Sequence, residues 1–281
     1  MSRWPLLSCV ATLSACAGTA AQAPELDAAA DVANCEVASG FDASVPAGYA
    51  PAHAMLSAAC VPGTDLTGRY FRFDHFSVDE PSGPDGALAA TLTALWNGQI
   101  ARGELNIIYH VVSHDPATGV LRVEGGTAVR LQEGPDKGRL AMPSDPPPEV
   151  LDLRLDGCAF RSGSLGLLRV FPDLLTRPID IGRLFTQGAF DADGGRITGG
   201  YIEGGICTSM AVAQYFKLSP GAGCLNFYQF TRDLGVLPDR DDLPCGGCDA
   251  SGYTFKGSFD ATLVPDMLDG RFQVPRLFTC D

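Results

Sequence analysis

Tyr253-Thr254-Phe255-Lys256-Gly257-Ser258-Phe259-Asp260-Ala261-Thr262-Leu263 alternates in side-chain character over its whole length. Tyr253, Phe255, Phe259, Ala261 and Leu263 fall on one parity; Thr254, Lys256, Ser258, Asp260 and Thr262 fall on the other. A period of two puts the first set on one face of a strand and the second on the opposite face. Such a strand needs a sheet with one face covered by a core. The same pattern occurs where Leu151, Leu153 and Leu155 alternate with Asp152, Arg154 and Asp156.

Working outward, further strands follow. Residues 66–76, with Tyr70, Phe71, Phe73 and Phe76, are aromatic and partly alternating. Residues 105–113 are apolar on both faces, as a fully buried strand requires. Asp115-Pro116-Ala117-Thr118-Gly119 has turn chemistry and leads into residues 120–130, which predicts a hairpin. Phe190 through Ile197, with Asp193-Gly194-Gly195 at its centre, predicts a second. Residues 133–149 hold five prolines and read as a long surface loop rather than a central strand.

Helices are few. Asp85 is placed to cap one whose apolar positions are Leu88, Leu92 and Leu95 and which stops at Asn97-Gly98. Two more are expected before the final strand. The second covers residues 225–234, with Phe227, Phe230 and Leu234 on one face and Gly235 beyond. The order predicts an α+β domain dominated by an antiparallel curved sheet or partial barrel, with a few helices packed at one end. Residues 35–281 form that single β-rich domain.

The chain has 281 residues, 20 Lys plus Arg against 33 Asp plus Glu, and a formal net charge of −13. An acidic surface repels phosphate backbones, which excludes nucleic acid as a partner class. Hydrophobic residues make up 46% of the chain, enough for a substantial core.

The amino terminus says where such a domain works. Met1-Ser2-Arg3 is a short basic start, and residues 4–15 are apolar but too short to span a bilayer. Leu13-Ser14-Ala15-Cys16 then has the form of a lipobox, and residues 1–16 resemble the signal of bacterial lipoproteins. The resemblance implies a signal peptide of residues 1–15, cleavage before Cys16, and a diacylglyceryl thioether on the Cys16 sulfur. It also implies a further acyl chain on the new amino terminus. Two or more chains anchor firmly where one does not. Ala17, where inner-membrane retention uses Asp, points to the outer membrane. The competing reading is an ordinary secretory signal cut near Ala21 or Ala23. Residues 16–34 read as the lipidated cysteine and a tether reaching about 60 Å when extended. Leu95-Trp96-Asn97 through Leu105-Asn106-Ile107-Ile108, and Gly199-Gly200-Tyr201-Ile202-Glu203-Gly204-Gly205, resemble uncharacterised exported lipoproteins of Gram-negative bacteria. That resemblance implies no catalytic residue.

Ten cysteines are present. Cys9 leaves with the signal and Cys16 takes lipid. The other eight are Cys35, Cys60, Cys158, Cys207, Cys224, Cys245, Cys248 and Cys280. An even number in an exported protein reads as four disulfides, with Cys35–Cys60 the pairing that the chain order favours. Cys245-Gly246-Gly247-Cys248 has redox spacing, but its acidic flanks raise a thiol pKa, so a structural disulfide is the expectation.

Other candidate chemistry is sparse. Asp239, Asp241, Asp242 and Asp249 form an acidic loop whose oxygens suit calcium, although the spacing is not that of a regular calcium loop. Asp191-x-Asp193-Gly194-Gly195 lacks the remaining ligands of one. His110 and His114 sit on a strand, sharing a face about 13 Å apart, and read as structural. His75 beside Asp74 is a weak candidate base. Ser162-Gly163-Ser164-Leu165-Gly166 lacks the first glycine of a nucleophile elbow. Glu203 is the more pointed candidate. It shares a face with Tyr201 and Gly205 in a glycine-rich strand, where a ligand or another backbone can approach closely.

The first expectation is therefore a non-enzymatic, membrane-anchored lipoprotein that binds an envelope protein or an apolar ligand, or has a structural role, with no cofactor unless calcium. The alternative is a cell-envelope hydrolase using acidic residues such as Glu203 with a histidine.

Overall fold

The computed structural model describes residues 65–145, 148–171, 178–213, 215–217, 224–243, 245, 251–265 and 267–273. The signal, the tether, and the lipidation and cysteine assignments at Cys16, Cys35, Cys60, Cys248 and Cys280 lie outside these residues, as does Asp249. The strands are β1 (Tyr70–Glu80), β2 (Asn106–Asp115), β3 (Val120–Arg130), β4 (Leu140–Asp145), β5 (Glu149–Asp156), β6 (Ala159–Ser162) and β7 (Gly166–Val170). They continue with β8 (Ile179–Phe190), β9 (Arg196–Cys207), β10 (Tyr215–Lys217), β11 (Cys224–Asn226), β12 (Gly252–Leu263) and β13 (Leu268–Gln273). Among the described residues three α-helices accompany them: α1 (Ala87–Arg102), α2 (Thr208–Ala213) and α3 (Phe227–Asp233).

β12 is the strand with the unbroken alternation: Tyr253, Phe255, Phe259 and Ala261 are buried and the intervening side chains are not. Its buried face lines a closed barrel. The ring runs β1-β2-β3-β5-β6-β8-β9-β12 and back to β1, every neighbour antiparallel. The expected curved sheet is therefore a complete eight-stranded barrel. Closure depends on strand number, tilt and stagger together, and no single segment displays these.

Aromatic rings fill the interior. Phe73 stacks on Phe259 at 4.0 Å between centroids, and the Tyr109 ring meets both edge-on at 5.2 and 5.6 Å. Phe190 packs against Phe71 at 5.3 Å and Phe160 at 5.2 Å. Each such side chain contributes roughly 1.5–3 kcal/mol by leaving water. The interior hydroxyls are paired. Tyr109 donates to Thr186 Oγ1 at 3.1 Å, and the Thr186 N–H donates to Ser162 Oγ at 2.8 Å.

The seam between β1 and β2 is short. β1 and β2 pair only over Tyr70–Arg72. Beyond that point α1 lies against β1: Val78 N–H donates to Thr93 Oγ1, and Phe76 bonds through both backbone groups to Asn97. The helix does not stop at Asn97-Gly98 as expected; it runs on through them, with Asn97 engaged in the seam. It ends at Gly103, which adopts φ 71° and so supplies the left-handed cap that a side chain would resist. Nor does Asp85 cap it. Asp85 lies in a preceding single turn, and Gly86 is the N-cap residue.

The helices gather at one barrel end. Trp96 packs on Phe76 and Phe255, and Phe227 of α3 packs on Tyr253. On the outer wall, Tyr70, Ile108, Ala128, Leu140, Met142 and Met267 form a second cluster. It explains why residues 105–113 are apolar on both faces. It also corrects the loop reading of residues 133–149: the apolar Leu140-Ala141-Met142 belongs to β4, which pairs with β3 and β13.

Cys207 bridges to Cys245, closing 38 residues of chain. Cys158 and Cys224 are disulfide-bonded as well. Among the described residues no helix is long and apolar enough to cross a membrane.

Candidate functional site

Tyr201 and Glu203 project from the outer wall of β9. The Tyr201 hydroxyl donates to Glu203 Oε2 at 2.9 Å, and Lys256, opposite Glu203 in the register, brings its ammonium to 3.7 Å from Oε1. The two proposed ligand groups are thus together, but their polar ends are spent on each other and on a lysine. The flanking glycines make room for protein. A Cβ on Gly205 would lie 2.4 Å from Leu243, and one on Gly204 would lie 2.8 Å from the Gly182 carbonyl oxygen.

The acidic loop is dispersed. Asp242 takes two bonds from the Arg240 guanidinium at 2.8 Å each and faces Arg183 at 3.3 Å. Hydrogen bonding from Arg240 holds its carboxyl below the ordinary value of 3.8, with the charge of both arginines acting in the same direction. Asp239 instead accepts the N–H of Thr254 at 2.6 Å, and Asp241 is exposed. Among the described residues no group of three or more His, Cys, Asp or Glu is placed to hold a metal. Asp191 and Asp193 bind backbone N–H groups of their own turn, at Gly195 and Arg196.

The histidines differ from their expected placement. A bulge between Val111 and Ser113 adds one residue to β2, so His110 pairs with Glu124 whereas His114 pairs with Leu121. Glu124 lies on the outer wall and Leu121 in the core, so the two rings face opposite sides rather than sharing one. His110 Nδ1 lies 3.2 Å from Glu124 Oε2, and its ring stacks on Tyr70 at 3.9 Å between centroids. His114 Nδ1 accepts the Leu66 N–H at 3.3 Å. His75 is exposed, and its neighbour Asp74 accepts a hydrogen bond from Thr262. Ser162 is buried and donates to the Thr186 carbonyl. Cys245 is committed to Cys207 and not to Cys248.

Sequence reasoning missed a cleft of about 260 Å³ at the helical end of the barrel. Residues 80–84, at the end of β1, form one wall and residues 235–237 with Asp239 form the other. Tyr253 and Thr254 lie between them at the start of β12. Of the acidic-loop residues, only Asp239 contributes, and it is joined by Glu80 from far away in the chain. No local pattern could pair them, because only barrel closure brings the end of β1 beside the start of β12. Compared with protein-family models, curated proteins and solved structures, the chain matches none.

Proposed function

We propose that this chain is an exported lipoprotein, anchored through Cys16 in the outer membrane, whose barrel acts as a binding or structural module and not as an enzyme. The observation that carries this reading is the filled barrel. Stacked Phe73, Phe259 and Tyr109 occupy the volume in which a ligand-carrying barrel would hold its cargo. Recognition is then a matter of the outer surface, and calcium is not needed to assemble it. Two measurements test the proposal. In a Gram-negative host fed labelled palmitate, the full chain takes up label and Cys16→Ala does not; label on Cys16→Ala overturns the anchor. A native mass spectrum of the protein made in an oxidising compartment shows no retained small molecule. A retained apolar or lipid-sized companion lost on denaturation overturns the filled interior.

The His110–Glu124 pair gives a second reading, an envelope hydrolase in which Glu124 orients His110 as a base. It predicts turnover of envelope polymers that His110→Gln abolishes without loss of folding.

A further inference from the structure

The barrel interior is closed to ligands, but the cleft between residues 80–84 and 235–239 is not. We propose that this cleft binds one aliphatic cation, an ammonium or guanidinium on a short apolar stem.

The charge argument comes first. Glu80 and Asp239 line opposite walls, and no Lys, Arg or His is among the lining residues. Lys256, opposite Glu80 in the β1–β12 register, directs its ammonium to Glu203 at 3.7 Å. Glu80 Oε2 accepts the Ser82 N–H at 2.7 Å, and Asp239 Oδ1 accepts the Thr254 N–H at 2.6 Å. Those bonds orient each carboxylate without supplying a countercharge, and each leaves the second oxygen uncommitted. Asp242, two residues from Asp239, differs in this respect: two guanidinium groups already face it. Two carboxylates lining one space favour a cation over a neutral ligand or an anion.

The remaining surface selects the stem. Pro81, Pro84, Val236 and Leu237 line the cleft, and Leu237 at 64% exposure is the most exposed large apolar side chain described. A ligand that covers it removes apolar surface from water. At about 260 Å³ the space lies below the usual range for drug-sized ligands and fits a single side-chain-sized group. The walls are already in place. A Cβ on Gly83 would come within 3.1 Å of Leu88 and 3.2 Å of Val236, so one wall is packed against the other and against α1. Little ordering is left to oppose binding.

Such a cation comes either from a free amine or from a basic side chain of a partner protein. This inference deepens the surface-binding reading and rests on it. The test is calorimetric titration of the full chain in detergent with n-butylammonium, Nα-acetyl-lysine N-methylamide and n-butanol. Both cations saturate and n-butanol does not, and the tighter cation names the source. Glu80→Gln/Asp239→Asn weakens binding about tenfold or more. Both amides still accept the Ser82 and Thr254 N–H groups, so the fold is kept, as an unchanged Tm verifies. Raised salt weakens binding as well. Equal binding of n-butanol, or a double variant that binds like the wild type, overturns the proposal. Palmitate labelling is independent of these titrations, so failure of the anchor and failure of the cleft are distinguishable.

Discussion

Asn97 uses both ends of its side-chain amide to hold the backbone of Phe76. Its Oδ1 accepts the Phe76 N–H at 2.9 Å and its Nδ2 donates to the Phe76 carbonyl at 2.9 Å. These are the two bonds that a neighbouring strand would make, so a helix residue stands in for β2 where β1 and β2 have parted. Asn97→Ala leaves both backbone groups without that partner at a half-buried edge and is expected to cost about 2–3 kcal/mol. Asn97→Asp keeps the acceptor, loses the donor and falls between. Urea unfolding measures both. An alanine variant within about 0.5 kcal/mol of wild type would show that α1 does not support the seam.

The filled barrel makes a second prediction at Gly200, which faces Phe259 across the β9–β12 pair. A Cβ there would lie 2.5 Å from the Phe259 ring, and that ring is already stacked on Phe73. The ring cannot swing aside without breaking the stack, so Gly200→Ala is expected to destabilise by about 1–3 kcal/mol. Gly200 does not adopt a positive φ, so a Cβ there is opposed by the ring and not by the backbone conformation. Urea unfolding that places Gly200→Ala within about 0.5 kcal/mol of wild type would sink the packing account.

Much of this architecture was legible where one face of a strand is buried. Tyr253, Phe255, Phe259 and Ala261 show their orientation because water lies on the other side. β2 gave up less. Its outer face is covered by Leu140 and Met142, which makes Ile107 and Ile108 equally apolar, and period-two reasoning loses its signal there. The bulge at Val112 is invisible for a related reason. One inserted residue changes the register and moves His114 to the opposite face without altering local composition. The Tyr201–Glu203 pairing could be inferred from parity alone. The cleft could not, since Glu80 and Asp239 come to line one space only when β1 pairs with β12.

Acid should weaken the hold on the Arg240–Asp242 segment. Asp242 titrates below 3.8 in the folded chain because Arg240 hydrogen-bonds its ionised form. A folded value below the unfolded one means the contribution is fully present above about pH 4 and is lost as pH falls through the lowered value. Asp242→Asn should therefore cost stability near neutrality yet show a shallower decline between roughly pH 4 and pH 2. Asp65, Asp115 and Asp193 are also held low by hydrogen bonds, but they are common to both proteins and drop out of the difference curve. Parallel stability curves across that range would show that the pair is fully screened.

Gln99 is the counterpart of Asn97 on the same helix. It is 0% exposed, on the face of α1 that also buries Leu88, Leu92 and Trp96, and neither Oε1 nor Nε2 has a hydrogen-bond partner. An amide placed so pays desolvation with no return, typically about 1–3 kcal/mol. Methionine has nearly the same shape, propagates a helix equally well and carries no amide. Gln99→Met should therefore raise the unfolding free energy by about 1–2 kcal/mol, where most buried substitutions lower it. Gln99→Ala removes the same amide but leaves a cavity, so it should stabilise less than Gln99→Met or destabilise. If Gln99→Met is instead the more damaging variant, the Gln99 amide has a partner that methionine cannot replace, and the end of α1 holds a polar site rather than a packing defect.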